Sequence, residues 1–161
     1  MKTFETAREV GHSADDMFAL VADVERYPEF VPLCANLVIR SRTADKDGHQ
    51  VLTADMTVAY KLLRETFTSQ VTLVPDAHRI LVRYIDGPFK SLENRWQFEP
   101  VDAERCQVQF YLAYAMKSRL FERLAGAVFD RAFGSFADAF ERRADKIYNS
   151  RERRRRSRAE V

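Results

Sequence analysis

A change of hydrophobic period divides the chain into a strand-rich part and a helical part. Over residues 35–116 apolar residues recur mostly with period two, which is typical of β-strands with one buried face. Over residues 118–150 they recur at intervals of three and four, which is typical of one face of an α-helix. This order excludes alternating β-α-β units and predicts an α+β fold in which a long helix packs on an antiparallel sheet.

The strand-rich part divides into six strands separated by turns that contain Gly, Pro or Asp. The predicted strands are 37–41, 49–62, 64–74, 79–85, 92–98 and 106–116, and a further strand at 3–12 precedes them. Short connections between consecutive strands imply an antiparallel meander.

Two short helical segments are predicted between the first strand and the second. Ser13 followed by Asp16 resembles a capping box, and apolar residues between positions 17 and 24 lie on one helical face. Pro28 and Pro32 then interrupt a second helical turn over residues 24–33.

The C-terminal helix carries one broad apolar stripe that we expect to face the sheet. The stripe consists of Leu120, Leu124, Val128, Phe133, Phe136, Phe140 and Ile147. Gly126 and Gly134 interrupt it, and each costs about 1 kcal/mol relative to Ala within a helix. Close backbone packing or a bend is therefore expected near these glycines.

Length and charge predict one domain followed by a basic tail. The 161 residues are enough for a single domain with its own core, and no linker divides them. Residues 151–161 hold six arginines and two glutamates, so residues 1–150 carry −2 of the net charge of +2. We expect 1–150 to be the folded domain and 151–161 to be disordered and able to contact anionic lipid or RNA phosphate.

Several catalytic classes leave no trace in the sequence. It has no dinucleotide-binding glycine motif, no phosphate-binding loop, no HExxH and no G-x-S-x-G elbow. Cys34 and Cys106 fit neither a zinc spacing nor a disulfide framework, and His12, His49 and His78 share no motif and are expected at the surface. No signal peptide or membrane-length apolar run is present, so a cytoplasmic location is expected.

Two carboxylates within strands have two open interpretations. Asp55 lies between Ala54 and Met56, and Glu65 shares strand parity with Phe67. Each points either into a cavity or outward from a half-buried strand.

Three stretches resemble the coenzyme-Q-binding branch of the START-like (polyketide cyclase/dehydrase) superfamily. They are ADVERYPEFVPLC at 22–34, DGPF at 86–89 followed by LENRWQFEP at 92–100, and VFDR at 128–131 leading to AFERRA at 139–144. The resemblance covers about residues 1–148, and the branch also includes proteins named as ribosome-association toxins. It implies a helix-grip fold, with six to seven curved strands around a long C-terminal helix and a cavity between them. It also implies non-catalytic binding of a polyprenyl quinone such as ubiquinone in support of respiration, with no catalytic residue and no catalytic cofactor.

Aromatic side chains supply the predicted ligand-binding residues. Residues 92, 94, 96 and 98 share one strand face, so Trp96 is expected to point inward. The expected wall is Phe67, Trp96, Phe110, Tyr114, Phe133 and Phe136, with Leu124 from the helical stripe. The expected mouth is Tyr27 and Phe30 with the two nearby prolines, opposite Gly87, Pro88 and Phe89. Simple core packing is the alternative for each ring.

Three functions from different classes are compatible with the sequence. The first is a quinone carrier with peripheral contact to an anionic membrane. The second is a ribosome-binding regulator of translation, since the basic tail can also pair with RNA phosphates. The third is a cyclase or hydrolase in the same cavity, for which no acid–base pair is visible. No metal site and no DNA partner is predicted.

Overall fold

Seven strands form one antiparallel sheet. The computed structural model describes the backbone of residues 1–159 and the side chains of residues 1–149. The strands are β1 (Lys2–Val10), β2 (Cys34–Ala44), β3 (Gln50–Tyr60), β4 (Leu63–Val74), β5 (Arg79–Asp86), β6 (Phe89–Pro100) and β7 (Cys106–Met116). Their order is β1-β7-β6-β5-β4-β3-β2. The predicted meander from β2 to β7 is therefore confirmed, and β1 pairs with β7 as an edge strand.

Irregular pairing bends the sheet into a concave wall. The register shifts between Cys34 and Asn36 and between Ile39 and Ser41 on β2, between Tyr84 and Asp86 on β5, and between Phe89 and Ser91 on β6. Each extra residue increases the local twist and curvature. Because side chains alternate along each strand, the concave face receives the buried residues and the convex face the charged ones.

The chain crosses from β1 to β2 through helix α1 (Ala14–Ala22) and a 3₁₀ helix (Val24–Glu29). The predicted cap of α1 is confirmed, since the Asp16 amide donates to Ser13 Oγ at 3.0 Å. The 3₁₀ helix packs beside β2 and brings Tyr27 against Phe140 of the C-terminal region.

The predicted single C-terminal helix is two helices in sequence. Helix α2 (Arg119–Gly134) and helix α3 (Phe136–Ala159) are separated at Ser135. A Cβ added at Gly134 would lie 3.2 Å from the ring of Phe4, so the absence of a side chain permits close packing of α2 on β1. The expected helix-grip arrangement is confirmed, with α2 and α3 covering part of the concave sheet face.

The apolar stripe predicted for this region is only partly correct. Phe133, Phe136 and Phe140 are buried and Val128 is half-buried, whereas Leu120, Leu124 and Ile147 are 65%, 73% and 37% exposed. The buried face of α2 instead carries Ala125, Phe129, Ala132 and Phe133. The break at Ser135 resets the helical phase, so one stripe cannot continue through both helices.

The predicted basic tail lies outside the residues whose side chains are described. Helix α3 is described as far as Ala159, and the expectation that 151–161 is a separate tail stays a prediction. Among the helices that the structure describes, none is long and apolar enough to cross a membrane.

Candidate ligand-binding cavity

A cavity lies between the concave face of the sheet and the helices. Its unfilled space is about 650 Å³ when the open side is included, and the part that the centre of a water molecule can occupy is about 70 Å³. This is room for a few water molecules, so a substituted ring must move the lining side chains apart to enter.

The lining is almost entirely apolar and comes from every element that borders the concave face. It consists of Val24, Tyr27, Leu37, Ala54, Met56, Phe67, Ser69, Val71, Ile80, Val82, Leu92, Asn94, Trp96, Leu112, Phe133, Phe136 and Phe140. Most of these side chains are buried, but Tyr27, Leu37 and Val82 are half-buried. The cavity therefore reaches solvent beside these three residues.

Two polar side chains interrupt the apolar lining. Ser69 on β4 is 6% exposed, and its hydroxyl has no hydrogen-bond partner among the described residues. Asn94 on β6 is 7% exposed and donates one side-chain N–H to the Tyr111 carbonyl at 2.8 Å. Strand β5 lies between them, which separates their backbones by about 10 Å. A buried hydroxyl without a partner costs about 1–3 kcal/mol, so a ligand oxygen at this position would restore a lost interaction.

Among the described residues of this lining, Tyr27 alone has a titratable side chain. Its hydroxyl donates to the Val21 carbonyl at 2.5 Å, and burial raises its pKa well above the usual range. The phenol is therefore neutral at physiological pH and already hydrogen-bonded. The described lining is an apolar environment that can bury an apolar molecule. It contains no acid and base placed as a pair for proton transfer.

Trp96 on β6 lies on the sheet side of the cavity. It is 3% exposed, and its ring centroid lies 4.6 Å from Phe110 and 5.0 Å from Phe140. Its inward orientation follows the strand parity expected from the sequence, since Leu92 and Asn94 also line the cavity.

Because Trp96 is the only tryptophan, its fluorescence should report occupancy of the cavity. Titration with a short-tailed benzoquinone is expected to quench most of the emission, because a quinone accepts an electron from an excited indole at contact. Free N-acetyl-tryptophanamide, treated with the same quinone concentrations, measures collisional quenching and light absorption by the quinone. Unchanged emission at concentrations that saturate binding by calorimetry would show that the ligand lies away from Trp96.

Half of the predicted ligand-binding residues line the cavity and half do not. Tyr27, Phe67, Trp96, Phe133 and Phe136 are on the lining. The structure places Phe30, Phe89, Phe110, Tyr114 and Leu124 elsewhere. Whether the lining residues contact a ligand stays a prediction.

Four of the residues off the lining support the wall from behind. Phe30 packs on Tyr27 and Phe140, and Phe110 packs on Trp96. Phe89 is fully buried against Phe67, Tyr114 and other rings, and Tyr114 is 3% exposed. Phe89 therefore belongs to the core, and its position does not fit the expected role at the mouth.

Leu124 is placed on the opposite side of α2 from the cavity. Its side chain is 73% exposed, because the larger Phe129 and Phe133 direct their own face of the helix toward the sheet. The expectation that Leu124 lines the cavity is wrong.

Neither of the two carboxylates left open by the sequence is on the lining. Asp55 points away from the cavity, where it accepts hydrogen bonds from Thr68 at 2.6 Å and Arg40 at 2.5 Å. These donors, Thr68 first, lower the pKa of Asp55, so it is ionised at neutral pH. Glu65 shares the parity of Phe67 but lies nearer the start of β4, away from the lining residues.

One histidine differs from the surface position expected for it. His12 is 5% exposed, with Nε2 2.7 Å from Asp145 Oδ1 on α3. Its ring packs beside Tyr148, at a centroid distance of 5.6 Å. His12 thus joins the end of β1 to α3, and no local pattern could predict a partner 133 positions away.

Both cysteines are free thiols within the core. Burial raises the pKa of Cys34 to about 11 and that of Cys106 to about 11, so both are protonated at neutral pH. Neither is on the cavity lining, and a buried protonated thiol is a poor nucleophile.

Most of the lining residues were not predicted from the sequence, because the predicted site consisted mainly of aromatic side chains and most of the others are aliphatic. The aliphatic part comes from alternate positions on β2 to β7, which strand parity assigns to one face without distinguishing cavity from core. Asn94 was detectable, because an amide between Leu92 and Trp96 is a polar residue on an apolar face. Ser69 was not, since serine is ordinary on either face of a strand.

The fold and the cavity together define the class of this protein. A curved antiparallel sheet that grips a C-terminal helix over an apolar cavity is the architecture of a START-like binding domain. The chain belongs to the polyketide cyclase/dehydrase and lipid transport family, whose model matches residues 10–141.

Two groups of named relatives are similar over most of the chain. Ribosome association toxin RatA of Vibrio cholerae serotype O1 is 34% identical over 148 residues, covering 92% of this chain and 99% of the relative. Coenzyme Q-binding protein COQ10 homolog B, mitochondrial, of Xenopus laevis is 31% identical over 153 residues, covering 92% of this chain and 60% of the relative.

Solved structures agree on the fold. The 18 kDa protein CC1736 of Caulobacter crescentus has a TM-score of 0.72 at 32% identity and covers 92% of this chain and 99% of that one. The ZhuI aromatase/cyclase of Streptomyces sp. R1128 also has a TM-score of 0.72, at 21% identity, covering 90% and 94%. The fold thus includes enzymes as well as proteins named for binding.

Proposed function

We propose that this protein binds a polyprenyl quinone in its apolar cavity and delivers it without changing it chemically. The observation that carries the proposal is the pairing of an apolar lining with two buried polar side chains, Ser69 and Asn94, on opposite sides of β5. A quinone has the matching chemistry, with two carbonyl oxygens on opposite sides of an apolar ring. The relative named for coenzyme Q binding supports the same ligand class.

The proposed contacts use the donors that remain available. The Ser69 hydroxyl donates to one quinone carbonyl, and the second side-chain N–H of Asn94 donates to the other. Burial of the ring and of the first isoprenoid units contributes most of the affinity, at about 25 cal/mol per Å² of apolar surface. The remainder of the tail leaves beside the half-buried residues Tyr27, Leu37 and Val82.

Delivery without chemistry is supported by the lining itself. Tyr27 is its only titratable group, and the phenol is held neutral and hydrogen-bonded to Val21. An acid–base or nucleophilic reaction in this cavity would lack the pair of groups that such reactions use.

The direct test is organic extraction of the purified protein, followed by mass spectrometry. We expect a polyprenyl quinone in near-stoichiometric amount when the protein is produced in a respiring host. Protein denatured before purification and refolded without lipid is the control for carry-over. Extracts with no quinone, together with no binding of added short-tailed quinone, would contradict the proposal.

Ser69→Ala should weaken quinone binding and stabilise the empty protein. Loss of one hydrogen bond to the ligand costs about 1 kcal/mol, or about fivefold in Kd. Removal of an unpartnered buried hydroxyl should raise the free energy of unfolding of the empty protein by about 1 kcal/mol. Quinone titration and urea unfolding measure the two effects.

Thr6→Val is the matched control, since the Thr6 hydroxyl is also buried without a partner but lies away from the cavity. It should reproduce the gain in stability and leave Kd unchanged. Equal Kd values for Ser69→Ala and the unaltered protein would show that this hydroxyl does not contact the ligand.

A second function, ribosome association, is supported by the RatA relatives. The six arginines of residues 151–161 are the candidate contact to RNA phosphate. Deletion of 151–161 should then remove cosedimentation with ribosomal subunits in a salt-dependent way and leave quinone content unchanged. The same truncation would leave subunit binding intact if the folded domain makes the contact.

A further inference from the structure

Helix α2 has a second apolar stripe, on the side away from the sheet. Phe129 and Phe133 occupy the buried face, whereas Leu120 and Leu124 are 65% and 73% exposed. The two leucines are four residues apart, so their side chains lie next to each other on the helix surface. Two adjacent exposed leucines form an apolar patch, and contiguous apolar patches mark interaction sites more often than single exposed residues do.

Cations without carboxylate partners surround this stripe. Lys117, Arg119, Arg123 and Arg131 make no ion pair with any residue whose side chain the structure describes. Arg64, Arg83 and Arg142 are likewise in none of these ion pairs, so the cations of α2 are distinguished by their position beside exposed leucines. The unpaired charge beside α2 is therefore available to an external anion.

Acidic side chains of α2 lie away from the stripe. Glu122 and Asp130 border a separate groove with Lys2 and Gly126, on another side of the helix. The charged side chains of α2 that lie beside the two leucines are therefore arginines, Arg123 and Arg131.

The turn between β3 and β4 carries a further exposed leucine, at the end of the sheet from which α2 begins. Leu62 is 103% exposed and follows Lys61, which has φ 54° at the turn. Because the sheet is an antiparallel meander, β3 and β7 run in the same direction and finish at the same end of the sheet. Helix α2 starts directly after β7. The turn and the beginning of α2 therefore project from one end of the molecule.

We propose that this end docks on an anionic lipid bilayer. The docking surface consists of Leu62, Leu120 and Leu124 with Lys61, Lys117, Arg119 and Arg123. Leucines enter the boundary between head groups and acyl chains, and the cations bind lipid phosphates, which is how amphipathic surfaces hold to membranes. RNA phosphates would bind the cations but would make no favourable contact with the exposed leucines. The aliphatic side chains therefore favour lipid as the partner.

This surface is distinct from the basic residues 151–161 and does not depend on what the cavity holds. It stands if the quinone proposal fails, because vesicle binding is measured on protein without ligand. Where both proposals hold, docking at this end brings the domain to the membrane that contains the quinone.

The test is cosedimentation of the full chain with vesicles of phosphatidylcholine containing about a third phosphatidylglycerol. Arg119→Gln with Arg123→Gln should lower the partition coefficient about fivefold per residue at low salt. Leu120→Ser with Leu124→Ser should lower it about tenfold or more, with little dependence on salt. Thermal unfolding establishes that each variant is folded.

Matched controls come from the turns at the opposite end of the strands. Val101 is 51% exposed in the β6–β7 turn, and Lys46 is exposed in the β2–β3 turn. Val101→Ser and Lys46→Gln should change partition less than about twofold.

Three results would overturn the proposal. The unaltered chain binds no anionic vesicles, the leucine variant partitions like the unaltered chain, or the controls lose as much binding as the α2 variants. Loss of ribosome binding in the arginine variant, with vesicle binding unaffected by the leucine variant, would instead assign this end to RNA.

Discussion

Ala54→Phe is expected to fill the cavity with its own ring and so to lower extractable quinone by more than about tenfold. Ala54 is a small side chain on the lining and is 5% exposed, in the middle of β3. A phenyl group at this position would occupy space in which only about 70 Å³ is open to the centre of a water molecule. Like a ligand ring, the phenyl group must move some lining side chains apart, so the free energy of unfolding should fall by about 1–3 kcal/mol.

The control is Thr53→Phe, one residue earlier on the same strand. Thr53 is half-buried and points to the other face, so its substitution adds the same ring without entering the cavity. Quinone content of this variant should match that of the unaltered protein. Normal quinone content in Ala54→Phe, with its fold intact, would place the ligand outside this cavity.

Ala54→Phe also separates the two candidate functions. A ribosome contact made by charges on the surface should survive when the cavity is filled. If ribosome association and quinone content are lost together, the ligand controls the contact, and the two groups of relatives describe one coupled activity.

Gly87→Ala is expected to lower the free energy of unfolding by about 3 kcal/mol, or Tm by roughly 6–12 °C. Gly87 has φ 143°, a conformation that is almost restricted to glycine. A Cβ there would lie 2.6 Å from Phe67 Cβ and 3.0 Å from Phe67 Cα. The backbone of β4 would therefore have to move, and Phe67 with it.

Two other glycines separate backbone strain from crowding. Gly48 has φ 81° but nothing within 4 Å of an added Cβ, so Gly48→Ala should cost about 1 kcal/mol from strain alone. Gly11 has open space and no positive φ, so Gly11→Ala should be neutral or slightly stabilising. Urea unfolding of the three variants gives the order, and equal losses at Gly87 and Gly48 would contradict the close approach to Phe67.

The position of Gly87 gives a physical reason for the DGPF motif. The β5–β6 turn must pass against β4, and Phe89 then inserts fully buried between Phe67 and Phe129. The motif therefore holds the aromatic cluster behind the cavity wall. The sequence suggested a mouth because prolines and rings are common at openings, but burial of Phe89 shows that this turn is a packing element.

Local pattern was sufficient for the strands, the first helix and the order of the layers, but it did not predict the break at Ser135. Strand parity placed Trp96 on the inner face, Ser13 was correctly predicted as a helix cap, and the period change at residue 118 placed the first C-terminal helix within one residue of its start. These features depend on neighbours within a few positions, which is the range over which alternation and capping act. The motif resemblance added the family, which the comparisons confirm.

Tertiary structure alone decided which side chains meet. Leu124 and Phe129 both fit a helical stripe, and only the packing of α2 on β7 and β1 selected Phe129 for the core. His12 is buried because Asp145 reaches it from α3, and Ser69 is a candidate ligand contact because its neighbours leave its hydroxyl unpartnered. Period and propensity assign a residue to a face, whereas burial, partners and unfilled space depend on elements that are distant in sequence.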